Sequence, residues 1–149
     1  MNKQATRRRE VQTPVAADPT MLLLLHAAAL IEKRLEDALD GVGLSLAKFG
    51  ALTFLVCAGE PLSLSDCAAK MTCVRSNITQ LVDRLEAEGL VRRVDNPSDR
   101  RGVMAAATPL GIERQAAGAK LVDEVQRQFA KMLSGVDRAA FTRALAAIR

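Results

Sequence analysis

A chain of 149 residues and 16.0 kDa has room for one compact domain and little for a two-domain enzyme. Hydrophobic residues at 49% and charged residues at 26% are globular proportions, while aromatics at 3%, with no Trp or Tyr, leave the core to aliphatic side chains that favour helices. The net charge of +4 is weak evidence for a nucleic-acid partner, because Lys3, Arg7, Arg8 and Arg9 against Glu10 place +3 of it in the first ten residues and leave +1 for the rest.

Residues 1–18 are polar, carry Pro14 and lack periodicity, which predicts a mobile basic tail. From about Thr20 to Leu39 the pattern is helical, with Leu22 to Leu25, Ala27 to Ile31, Leu35 and Leu39 spreading apolar surface over much of the circumference. Such a helix needs cover on several sides, and a second copy of the chain is the economical source of it. Its apolar run holds His26 and falls short of the ~18 residues that a membrane span needs. No apolar segment stands directly behind the basic start, so neither a membrane association nor a signal peptide is expected.

Gly41 and Gly43 break this helix, Ser45 can cap a second that carries Leu46, Phe49, Leu52, Phe54 and Leu55, and Gly59 with Pro61 ends it. Ser63 or Ser65 can cap a short helix through Met71, and after Thr72 and Cys73 a longer one runs from about Val74 to Glu88, stopped by Gly89. A short helix, a tight connection and a longer helix make a helix-turn-helix. The apolar segments Leu90–Val94 and Val103–Ala107 flank the turn formers DNPSDRRG and predict a β-hairpin, hence a winged helix. Thr108 and Pro109 then read as N-cap and first position of a long helix to about Leu133, with Leu121, Val125, Phe129 and Met132 at helical spacing. Asp137 can cap a last helix with Phe141, Leu145 and Ile148 on one stripe. The expected fold is mainly α: a winged helix-turn-helix at about 45–109 between long terminal helices, about 19–42 and 109–149, that form a dimerisation region within a single domain at 19–149.

In the longer helix, Ile78, Leu81, Val82 and Leu85 fall on one buried stripe, so Ser76, Gln80 and Asp83 point away from it, with Asn77 and Arg84 to one side. Arg can bond guanine bidentately and Asn or Gln can do so with adenine, which is what a helix in the major groove needs. The hairpin tip, Asp99, Arg100, Arg101 and Gly102, concentrates cations on a protruding turn suited to a narrow minor groove, where Asp99 could orient a guanidinium.

The stretch GLSLAKFGALTFL followed by LSLSDCAAKMTCVRSNITQLVDRLEAEGLVRRVDNPSDRRGVMAAATPLG resembles the MarR family of bacterial regulators over about residues 20–149. VDRLEAEGLVRR, DNPSDRRG and ATPLG are the most specific parts of that likeness. The resemblance implies a homodimer with intertwined terminal helices, a palindromic double-stranded DNA operator, and release by a small organic effector or by oxidation. It also implies base reading by Arg75, Ser76, Asn77 and Gln80, and a wing pair of Asp99 and Arg101 with Arg101 in the minor groove beside Arg100. Cys67 and Cys73 stand where the family has Leu, and Val74 where it often has Ser, which shifts the helix cap to Thr72.

Cys57, Cys67 and Cys73 are odd in number and fit neither a Cys-x-x-Cys site nor a secreted disulfide framework, so a reducing, cytoplasmic compartment is expected. Cys67 and Cys73 read first as small buried hydrophobes and second as a thiol switch beside the reading helix. His26 reads first as a core residue and second as a sensor. By family analogy an organic effector would lie near His26, Phe49 and Phe54. No metal or cofactor is expected, and the chain offers no phosphate loop, no GxSxG, no HExxH and a single His, so it is not expected to be an enzyme. The reading is a ligand-responsive repressor; the alternatives are a redox-sensing regulator of the same fold and a helical interaction module that does not bind DNA.

Overall fold

The computed structural model describes residues 18–71, 78–96 and 99–148, with 99–101 given by their backbone. The basic tail expected at 1–18 lies outside them except for Asp18, as do Thr72, Cys73, Val74 and the predicted start of the reading helix. The elements run α1 (Thr20–Asp40), α2 (Leu46–Ala58), β1 (Leu62–Ser63), α3 (Leu64–Lys70), α4 (Ile78–Ala87), β2 (Val91–Asn96), β3 (Asp99–Ala107), α5 (Pro109–Met132) and α6 (Arg138–Ala146).

The helix starts follow from short polar side chains satisfying free amides. Ser45 Oγ accepts from the Lys48 amide at 3.2 Å, Ser63 Oγ from Asp66 at 3.0 Å, and Thr108 Oγ1 from Gly111 at 3.0 Å ahead of Pro109. Asp137 accepts from the amides of Ala139 and Ala140, both at 3.0 Å. Of the two serines open as the cap of α3, Ser63 takes the role. The backbone at Gly59 and Gly89 is left-handed, with φ of 67° and 72°, and this turns the chain out of α2 and α4.

The sheet has the order β1-β3-β2 and is antiparallel throughout. Two features differ from the expectation. The strand β1 is too short for any alternation to reveal it, and exists because Leu62 and Ser63 pair with Ala105 and Met104. The hairpin is also longer than predicted: Asp95, Asn96 and residues 99–102 fall within the strands, through a register shift between Asp95 and Asn96, where turn formers led us to expect a loop.

Leu39, Leu52, Val82, Leu85 and Val91 are the largest fully enclosed side chains, so the core lies where α1, α2, α4 and β2 meet. Leu44, Leu55, Cys67, Met71 and Leu81 extend it. Helix α5 closes over this core through two glycines. A Cβ on Gly111 would stand 2.0 Å from the Leu90 carbonyl oxygen, and one on Gly118 would stand 2.9 Å from Phe49 and 3.1 Å from Leu39. Arg114 Nη1 donates to the Val42 carbonyl at 2.7 Å and Gln115 Nε2 to Thr53 Oγ1 at 3.3 Å, tying α5 to the α1–α2 corner and to α2.

The start of α1 and the whole of α6 stand outside this packing. Met21, Leu22, Leu23 and Leu25 are 58–68% exposed, and His26, expected within a core, is exposed too, because none of the described residues covers that end of the helix. Helix α6 buries no residue: of its predicted stripe, Phe141 is half-buried while Leu145 and Ile148 are exposed. Among the described residues no helix is long and apolar enough to cross a membrane.

Candidate nucleic-acid interface

Helix α4 has a sharp division between faces. Leu81, Val82 and Leu85 are buried and Ile78 is packed against the core, which leaves Thr79, Gln80, Asp83 and Arg84 exposed on the other side. Gln80 therefore stands in the first described turn with its amide free of the core. The other residues assigned to base reading, Arg75, Ser76 and Asn77, lie outside the described residues.

The hairpin leaves the domain in a graded way. At its base Val91 pairs with Ala107, and Val91, Ala105 and Ala106 are buried; farther out Val103 is exposed; at the far end Asn96 pairs with Asp99. Asp99, Arg100 and Arg101 thus open β3 at the projecting end of the ribbon, and their side chains lie outside the described residues. The base is fastened by Thr108, whose hydroxyl donates to the Gly89 carbonyl at 2.7 Å and whose amide donates to the Leu90 carbonyl at 3.0 Å.

One residue of this region escaped the sequence reading. Arg93, on β2, extends its guanidinium to two carboxylates of α4, pairing through Nη2 with Asp83 and through Nη1 with Glu86. The Arg93 amide also donates to Glu86 Oε1 at 3.4 Å. The hydrogen bond to Asp83, with a further contribution from Glu86, holds the guanidinium above its already high pKa. The available signal was that Asp83 and Glu86 are three apart on one helix, hence neighbours on its surface; nothing local pointed to a partner seven residues beyond Glu86. On another side, Lys48 Nζ of α2 pairs with Glu88 at 2.5 Å.

The residues assigned to an effector are divided by the structure. Phe49 and Phe54 are half-buried and line an apolar hollow of about 300 Å³ with Leu46, Gly50, Thr53, Met71 and, as its one charged member among the described residues, Lys70. His26 is exposed on α1 and does not line this hollow. A narrower crevice of about 170 Å³ lies between α1 and α5, bounded by Leu30, Ile31, Val125 and Phe129, and there Arg34 Nη1 donates to Met132 Sδ at 3.6 Å.

Cys67 is buried and Cys57 exposed; Cys73 lies outside the described residues. Burial, and secondarily the neighbouring Asp66 charge, push the Cys67 thiol above its usual pKa, which disfavours the reactive thiolate. Among the described residues no three His, Cys, Asp or Glu side chains converge as a metal site would need.

Comparison with known proteins agrees with this architecture. A model of the MarR family matches residues 44–103. The solved structure of AbsC, a MarR family transcriptional regulator from Streptomyces coelicolor, is 31% identical, with 87% of this chain and 88% of that one covered and a TM-score of 0.75. CouR from Rhodococcus jostii RHA1 bound to p-coumaroyl-CoA is 26% identical, with 91% and 93% covered and a TM-score of 0.73; CouR bound to a 23-mer DNA duplex is 25% identical, with 91% and 99% covered and a TM-score of 0.75. The HTH-type transcriptional regulator YsmB from Bacillus subtilis is 32% identical over 88 residues, 59% of this chain, which spans 60% of that curated relative's length.

Proposed function

The chain belongs to the MarR family of transcription regulators, and from that premise we propose that it is a homodimeric, sequence-specific DNA-binding repressor released by a small organic ligand. The observation that carries this reading is the pairing of two elements: a helix that turns Gln80 outward from a buried stripe, and a hairpin that projects Asp99, Arg100 and Arg101 from the domain beside it. The helix suits the major groove and the basic ribbon tip the minor groove. Arg75, Ser76, Asn77 and Gln80 read bases, Arg101 enters the minor groove, and Asp99 orients it.

In this account the winged unit spans about 45–109. The helices at about 19–42 and 109–149 join two copies, because leucines as exposed as those at the start of α1 need a partner surface. Two symmetric winged units call for a palindromic operator. Work on DNA places the protein in the cytoplasm and makes it a regulator rather than an enzyme. The ligand is an amphipathic organic anion seated in the hollow beside Phe49 and Phe54, where Lys70 supplies a cation. That CouR has been solved with p-coumaroyl-CoA, an amphipathic anion, supports this class of ligand. The buried Cys67 favours ligand release over a thiol switch.

Selection of duplexes from a random-sequence pool by the full chain tests the reading. The expected result is enrichment of an inverted repeat that binds two chains per duplex; no enrichment over input would overturn it.

A further inference from the structure

We infer that Arg93 is a positioning residue for DNA recognition, which holds the reading helix and the wing at one fixed angle through its paired grip on Asp83 and Glu86. The inference rests on the DNA-binding reading above. A reading helix and a ribbon that enter different grooves bind together only if their relative orientation matches the duplex. Within the domain, α4 is anchored on its inner face by Leu81, Val82 and Leu85, and the hairpin at its base by Val91, Ala105 and Ala106. Those contacts secure each element to the core, and none of them joins the outer edge of α4 to the outer edge of the ribbon. Arg93 joins the edges: its backbone belongs to the ribbon, paired opposite Ala105 of β3, and its side chain reaches the solvent face of α4.

The residue type suits that task. Asp83 and Glu86 are neighbours on the helix surface, and a planar guanidinium with two amino groups meets both carboxylates in one orientation, which sets an angle as well as a distance. A lysine ammonium at the same place keeps the charge and loses the fork. The three side chains are 30–54% exposed, and ion pairs exposed to that degree contribute little to folding, so stability gives no reason for the arrangement. Electrostatics alone also gives none, since two carboxylates on a face turned toward phosphates oppose binding.

That opposition supplies a test with opposite signs. Affinity, salt slope and melting temperature are measured for the full-length wild type, for Arg93→Lys, and for Asp83→Asn combined with Glu86→Gln, on a duplex selected by the wild type from a random-sequence pool. If Arg93 positions, Arg93→Lys weakens binding by about tenfold, comparable to losing one bidentate base contact, although no charge has changed. The neutralised pair weakens it similarly, although two negative charges have been removed. Melting temperatures stay close to the wild type in both. Wild-type affinity in Arg93→Lys, tighter binding by the neutralised pair as charge removal alone would give, or a loss matched by an unfolded fraction would each overturn the inference. A wild type that selects no duplex would overturn the DNA-binding reading itself, and so be told apart.

Discussion

The two ends of α1 have opposite surroundings, and not in the order their composition suggests. Leu39, near its end, is fully buried between α2 and α5, whereas Met21, Leu22, Leu23 and Leu25, at its start, are more than half exposed. Composition alone points the other way, for the start is the apolar end and the second half holds Glu32, Lys33, Arg34, Glu36, Asp37 and Asp40. What decides is which of the described elements reach: α2 and α5 cover the lower part, and α6 buries nothing at all. One helix thus belongs to a finished core at one end and to an unfinished surface at the other, and the proposed second copy completes the latter.

Substitutions can break this contrast. Leu22→Asp with Leu25→Asp should give the largest change, converting a particle of twice 16.0 kDa into a single chain by light scattering while leaving the winged core folded by circular dichroism. The same double change leaving mass unaltered would mean that another surface holds the copies together. Leu52→Ala should act in the other way, costing ~2–5 kcal/mol in urea unfolding because it empties a fully enclosed site.

Glycines sharpen the comparison at smaller scale. Gly118→Ala places a methyl within 2.9 Å of Phe49 and should cost ~1–3 kcal/mol by forcing α5 from α2. Gly135, in the turn before α6, would have nothing within 4 Å of an added Cβ, so Gly135→Ala should stay within ~0.5 kcal/mol of the wild type. The cysteines should differ in rate alone: a thiol reagent should modify exposed Cys57 in the native protein and Cys67 only on unfolding, since its thiol is buried and its pKa raised. Mass mapping of labelled peptides over time reads this directly, and equal rates would show that α3 opens readily.

How much of this could be read from the chain depends on how local each cause is. The caps Ser45, Thr108 and Asp137 act within three residues, so their helices were legible. The buried stripe of α4 was legible because helical period alone decides it. Strand β1 was not, since Leu62 and Ser63 become strand only by meeting Ala105 and Met104, some forty residues on. The DNPSDRRG segment reads as a turn from its residue types, whereas ladder pairing carries Asn96 and Asp99 into strands. His26 sits in an apolar run that suggests burial, and the described residues leave it exposed. The exposure of Gln80 was legible from the stripe it opposes, but the pairing of Arg93 with Asp83 and Glu86 was not, because charges on a helix and on a strand read separately as solvated surface.

The central claim is that a reading helix and a basic wing bind DNA with divided tasks, and a salt titration of affinity on the selected duplex and its point variants tests it most directly, using wild type, Gln80→Ala and Arg101→Ala. Gln80→Ala should lose ~1–3 kcal/mol on the preferred sequence and little on a duplex changed at the base it reads. Arg101→Ala should weaken binding to all of these duplexes alike and flatten the salt slope, because a cation has left the groove. Unchanged affinity and salt slope in Arg101→Ala would contradict the account, leaving the hairpin a solvated ribbon.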